Sequence, residues 1–179
     1  MSFYTRKLPH WQPDGAALFL TWRLDGSLPR ECCTAHPEKD PGRQFVENDR
    51  ILDRATSGPT WLTDPKVALV VADALRFGEA SLQIYELAAW VIMPNHVHLL
   101  VNPQAPIAKI NQSIRGYTGH EANRILGRTG PFWQHESYDH WARNGTEFGR
   151  IASYTERNPV TAGLVDTPEK WKWSSAFVG

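Results

Sequence analysis

Residues 90–102 read WVIMPNHVHLLVN, two apolar runs divided by Pro94-Asn95. A Pro-Asn pair between apolar runs reads as the turn of a hairpin, so Trp90–Met93 closes one strand and His96 opens the next. In an extended strand alternate side chains share a face. His96 and His98 therefore point to one side and Val97 to the other. Leu99, Leu100 and Val101 give each imidazole a packed base, the rigidity that a metal ligand or a proton-transfer group needs. Spacing by itself leaves a second reading open, a solvent-facing pair of histidines.

Working outward in the downstream direction, Asn144 followed by Glu147 forms a capping-box pattern, and Phe148, Ile151, Ala152 and Thr155 supply the buried stripe of a helix. Tyr154 and Asn158 are four residues apart and project from one face of it, a turn apart. Pro159 is expected to end this helix, leaving Asn158 in its last turn. Between hairpin and tyrosine helix, Pro106 opens a long helix in which Ile107, Ile110, Ile114, Tyr117 and Ile125 repeat at three and four, with Arg115 on another face. Trp133–Trp141 reads as a strand.

In the upstream direction, Leu82–Met93 is the first arm of the hairpin. Asp64-Pro65 starts a helix, cap first and proline second, with Val67, Val70, Val71, Ala74 and Leu75 at helical spacing and Gly78 as its stop. A polar helix over 44–55, with Phe45, Ile51 and Leu52 as its apolar contacts, is broken by Gly58-Pro59. Residues 26–42 form a surface connection, and the aromatic-rich run Ala16–Leu24 is the first strand. Strand, helices, paired strands, helix, strand, helix is the order of an α+β protein: a ferredoxin-like antiparallel sheet with helices packed on one face. Trp171 and Trp173 in the tail are expected to cover the core edge.

The chain has 179 residues, the length of one domain, with a basic segment at 1–15 and a tail at 164–179. Its 19 basic and 19 acidic residues balance, so a site for a polyanion has to be a local patch. The two cysteines, Cys32 and Cys33, are adjacent, a pairing too strained for an ordinary structural disulfide and without zinc-knuckle spacing. A reducing cytoplasm is the expected location. No apolar run reaches the roughly 20 residues of a membrane span, and the N-terminus lacks a signal-peptide core, so no membrane partner is expected.

The string MPNHVHLLV resembles the His-hydrophobic-His motif of the small single-tyrosine insertion-sequence transposases and of the REP-associated tyrosine transposases related to them. The string from Tyr154 through Asn158-Pro159-Val160 to Gly163 is similar to the ending of that family, in which the nucleophilic tyrosine precedes an Asn-Pro-Val segment. The opening Arg6-Lys7-Leu8-Pro9-His10-Trp11 and the segment Arg23–Pro29 look like the REP-associated branch. Each motif alone is weak and the combination is specific. The resemblance implies the ferredoxin-like fold, Tyr154 as catalytic nucleophile, and His96, His98 and Asn158 as ligands of a divalent metal, Mg²⁺ or Mn²⁺. It also implies DNA contacts from Arg6, Lys7, His10 and Arg115. The partner it implies is single-stranded DNA with hairpin-forming repeats; the REP-associated relatives point to a monomer, their insertion-sequence cousins to a dimer. Many insertion-sequence members carry glutamine where this chain has Asn158, whose shorter side chain needs a closer helix.

A tyrosine hydroxyl, with an ordinary pKa of about 10, needs activation or a more electrophilic target. A divalent cation on neutral imidazole and amide ligands keeps its full charge for a phosphate. The resemblance implies attack by Tyr154 on phosphorus to give a 5'-phosphotyrosine link and a free 3'-hydroxyl. Tyr117 is the rival nucleophile, but Glu121 stands at its i+4 position. His120, His135 and His140 read as structural or exposed. Two other functions stay open: a catalytically silent module gripping a DNA or RNA hairpin, and a small metallohydrolase in which Tyr154 is dispensable.

Overall fold

The computed structural model describes residues 16–29, 41–55, 58–135 and 137–179. Arg6, Lys7, His10, Cys32 and Cys33 lie outside the described residues. Four strands, β1 (Leu18–Arg23), β2 (Tyr85–Ile92), β3 (His96–Pro103) and β4 (Tyr138–Trp141), form one antiparallel sheet in the order β2-β3-β1-β4. Among the described residues the α-helices are α1 (Pro41–Arg54), α2 (Pro65–Ala80), α3 (Ile107–Ile125) and α4 (Gly145–Thr161). This is the expected α+β, ferredoxin-like sheet.

Strand alternation divides the sheet into two chemistries. Leu18, Leu20 and Trp22 of β1 and Val97, Leu99 and Val101 of β3 lie in one core with Val67, Val71 and Leu75 of α2 and Ile110 and Ile114 of α3. Phe19 and Leu100 pack with Phe45 of α1 and with Phe148, Ile151 and Ala152 of α4. The expectation of helices on one face thus holds for α2 and α3, while α1 and α4 lie over the other. The reason is in β3 itself: its first six residues are all buried, and a strand apolar on both sides needs cover on both.

Local signals set most element ends. The Asp64 side chain accepts from Lys66 N–H at 2.8 Å with Pro65 in the first turn of α2. Asn144 caps α4 by accepting from Glu147 N–H at 2.9 Å. Glu147 reaches back one residue further than a simple capping box, accepting from Arg143 N–H at 2.7 Å. The hairpin turn at Pro94-Asn95 is closed by Met93 N–H on His96 O at 2.8 Å.

Three expectations need correcting. Gly78 does not stop α2, which runs to Ala80; its missing side chain makes room, since a Cβ there would collide with the Tyr85 hydroxyl and meet Ile114 Cδ1 at 3.0 Å. Pro159 does not end α4, which continues to Thr161. The last turn is closed by Ala162 N–H on Asn158 O and Leu164 N–H on Pro159 O, both 2.9 Å, with Gly163 at φ +72°. Asn158 is therefore held inside the helix and is 1% exposed. The fourth strand starts at Tyr138; Trp133 makes only an isolated bridge to Leu24. The tail lies along β2, with Ile92 N–H donating to Trp173 O at 2.8 Å and Ser175 N–H to Trp90 O at 2.9 Å. Trp173 packs on the core, as expected.

Candidate active site

His96 and His98 project from β3 toward α1 and α4, and neither side chain has any exposure. Their Nε2 atoms are 3.1 Å apart. Asn95, in the turn, fixes the first ring. Its amide nitrogen donates to Leu52 O at 2.9 Å, so its oxygen must be the atom 2.7 Å from His96 Nδ1. An amide oxygen only accepts, so His96 carries its proton on Nδ1 and turns an Nε2 lone pair into the site. Burial, then the neighbouring His98, push its pKa down to about 3, and the neutral ring is the metal-ligating form. His98 Nδ1 pairs with Thr21 Oγ1 at 2.8 Å, which leaves its Nε2 facing the same point.

Opposite them stands α1. Asp49, 2% exposed, lies with Oδ1 at 3.2 Å from His98 Nε2 and 3.6 Å from His96 Nε2. Burial alone would raise its pKa, but His98, His96 and Asn158 more than offset this and hold the carboxyl below its ordinary value. Asp53, one turn further, places Oδ1 at 3.9 Å from His96 Nε2. Burial and the adjacent Asp49 push its pKa up to about 7.

From α4, Tyr154 donates its hydroxyl to Asp49 Oδ2, and Asn158 Nδ2 donates to the same oxygen at 3.4 Å. The Tyr154 ring meets Phe19, Phe45 and His98 at centroid distances of 6.3, 6.4 and 5.7 Å, yet the residue stays 37% exposed. It is both anchored and reachable.

The donor set fits a divalent cation. Among the described residues, Asp49 Oδ1, Asp53 Oδ1 and Asn158 Oδ1 are buried oxygens without a hydrogen-bond partner, and such orphans call for a bound species. Asp49, His96 and His98 alone bring three ligand atoms within 4.8 Å of one another. Two imidazoles and carboxylate oxygens suit a divalent ion better than a purely neutral set.

The structure thus gathers four expected residues, His96, His98, Tyr154 and Asn158, around one point. Sequence reading missed Asp49 and Asp53. The available signal was their i, i+4 spacing on the stripe that also carries Phe45 and Leu52. Arg115 is elsewhere: it rises from α3, beyond the opposite face of the sheet, and its guanidinium donates to Gln134 O and His135 O, tying down the loop before β4. Tyr117 shares that far side and is 57% exposed rather than buried in the stripe of α3. His140 is paired with Glu147 at 2.9 Å and His120 is largely exposed.

The result is a four-stranded α+β sheet carrying a His-His-Asp cluster against a helical tyrosine. In sequence and in fold the chain resembles REP-associated tyrosine transposases. A curated Haemophilus influenzae protein with the provisional name REP-associated tyrosine transposase is 29% identical over 105 residues, covering 51% of this chain and 58% of the relative. The chain therefore spans little more than half the length of that relative. The solved structure of a REP-associated tyrosine transposase bound to a REP hairpin superposes with a TM-score of 0.57 at 18% identity, over 98% of this chain and 82% of that one. A Deinococcus radiodurans protein solved as a candidate transposase gives a TM-score of 0.45 at 18% identity, over 86% and 98%. No protein-family profile matches. Among the described residues no helix is long and apolar enough to cross a membrane.

Proposed function

We propose that this protein is a metal-dependent single-strand DNA endonuclease and strand transferase that acts at hairpin-forming repeats through Tyr154. The observation that carries the reading is the position of Asp49, one oxygen turned to His96 and His98 and the other accepting the Tyr154 hydroxyl. One carboxylate joins the nucleophile to the cation-binding group. His96, His98 and Asp49 would hold the Mg²⁺ or Mn²⁺ ion, with Asn158 as the further ligand the resemblance implies, and a divalent ion there would supply Lewis-acid polarisation of a phosphate oxygen.

The chain's own residues do the rest. Asn95 and Thr21 orient the imidazoles. Asp49 holds the Tyr154 oxygen and is placed to take its proton. The tyrosine oxygen attacks phosphorus, the Tyr154 O–P bond forms, the P–O3' bond breaks, and the departing 3'-oxygen takes up a proton. A 3'-hydroxyl attacking the 5'-phosphotyrosine link reverses these steps and transfers the strand without an external energy source. The reading takes a monomer as the working unit, supported by the tyrosine, histidines and carboxylate meeting within one chain; a dimer that shares active sites is the other arrangement.

The experiment is cleavage of a labelled single-stranded hairpin library with Mn²⁺, native protein against Tyr154→Phe. The reading expects a covalent protein–DNA adduct, dependent on metal and absent from Tyr154→Phe. Tight hairpin binding with no adduct from any substrate would instead make the protein a binding module.

A further inference from the structure

Beside Tyr154 lies an open groove of about 630 Å³, a size suited to a small ligand. Its floor is aromatic: Phe19, Phe45 and Tyr138 line it, the last two stacked at 4.2 Å with their rings 19° apart. Its rim is cationic: Arg150 and Arg157 stand four residues before and three after Tyr154, on the same stripe of α4. At a helical rise of 1.5 Å per residue the two guanidinium-bearing positions span about 10 Å, with the tyrosine between them. Both arginines are exposed. The acidic member of the lining, Glu147, is already engaged by Arg143 N–H at 2.7 Å and by His140 at 2.9 Å. A chain of zero net charge that handles a polyanion must concentrate cations locally, and these two flank the nucleophile.

Stacking platforms bordered by arginine are how proteins hold unpaired nucleotides. We propose that this groove seats the single-stranded nucleotide next to the scissile phosphate, its base against the Phe45–Tyr138 wall and its backbone phosphates between Arg150 and Arg157. The proposal rests on the transposase reading of Tyr154. The subsite favours unpaired DNA over duplex, because a base reaches an aromatic wall only when it is out of a stack.

The test measures anisotropy of labelled stem–loop oligonucleotides at several salt concentrations, using Tyr154→Phe protein so that the strand stays intact. Each stem–loop is presented blunt, with a four-nucleotide flank, and with an abasic flank. The base-bearing flank is expected to tighten binding about tenfold over the abasic one. Adding Arg150→Gln and Arg157→Gln is expected to lower the salt slope of flank binding by about 1.4, two single-strand phosphate contacts at about 0.7 each. Tyr138→Leu should erase the preference for a base and keep the salt slope. The exposed arginine pair provides the reading that folding does not confound. Blunt stem–loops binding as tightly as flanked ones, or a flank contribution untouched by the arginine substitutions, overturns the subsite alone. Failure of every oligonucleotide to bind overturns both the subsite and the transposase reading.

Discussion

Asn95 shows how a single residue sets the state of the site. Its amide is oriented by Leu52 O and in turn dictates which nitrogen of His96 bears the proton. The histidines and Tyr154 were legible because strand alternation, helical spacing and motif all act locally. Asp49 and Asp53 were harder to read, since their spacing beside Phe45 and Leu52 marks the inward face of α1 but does not say that this face meets β3. Their role leads to a prediction read without turnover. At a Mn²⁺ concentration about 100 times its Kd, binding to the folded state alone adds about 2.7 kcal/mol, an upward shift in Tm of roughly 5–10 °C for a chain of this size. Asp49→Asn and His98→Ala should each lose most of that shift; an undiminished shift in Asp49→Asn would remove Asp49 from the ligand set. Asp53 gives a pH dependence. Its carboxyl titrates near 7 in the fold against an ordinary 3.8, so between about pH 4 and 7 the folded protein holds a proton that the unfolded chain has released, and stability falls as pH rises through that window. In chelator-treated protein, Asp53→Asn should therefore melt higher than native at pH 8, with the difference gone below pH 4. His96 contributes the opposite slope, but equally in both proteins. A difference independent of pH would mean that Asp53 carries no such cost.

Elements were read most reliably where a cap or a period decides them, as at Asp64-Pro65 and Asn144, and least where a distant partner does. Gly78 looks like a helix stop until Tyr85 is placed against it, with the Tyr85 hydroxyl donating to Leu75 O at 2.9 Å. Pro159 looks like a terminator until the Asn158 and Pro159 carbonyls are seen to close a further turn. Gly78→Ala separates the two views. As a propensity change in a helix interior it would stabilise by about 1 kcal/mol. As an intrusion on Tyr85 and Ile114 it should destabilise by about 1–3 kcal/mol. Urea unfolding is expected to show the loss, and a gain would contradict the packing role.

At the scale of the whole molecule, the sheet divides structure from chemistry. The face under α2 and α3 is a closed apolar core, while the face under α1 and α4 mixes apolar packing with the buried polar cluster. That division follows from β1 and β3 being apolar on one side and bearing Thr21, His96 and His98 on the other, pairs set by register: Thr21 opposite His98 and Arg23 opposite His96. The tail completes the architecture by covering the β2 edge with two backbone hydrogen bonds and the Trp171 Nε1–H bond to Ile92 O at 2.9 Å. With Trp90 N–H on Ser175 Oγ and Ser175 Oγ on Glu156, both 3.0 Å, also lost, removing residues 171–179 should cost about 5 kcal/mol, at about 1 kcal/mol per hydrogen bond, and expose a strand edge that promotes self-association. Unchanged urea stability with a single monomeric peak on size exclusion would show the tail to be dispensable.

Under the proposed function Tyr154, held by Asp49, becomes joined to DNA. The most direct test is to trap the adduct on a single-stranded hairpin substrate with Mn²⁺, digest with nuclease and trypsin, and locate the nucleotide by mass spectrometry. A phosphonucleotide is expected on the peptide Ile151–Arg157, at Tyr154. A nucleotide on the Gly116–Arg124 peptide carrying Tyr117 would contradict it.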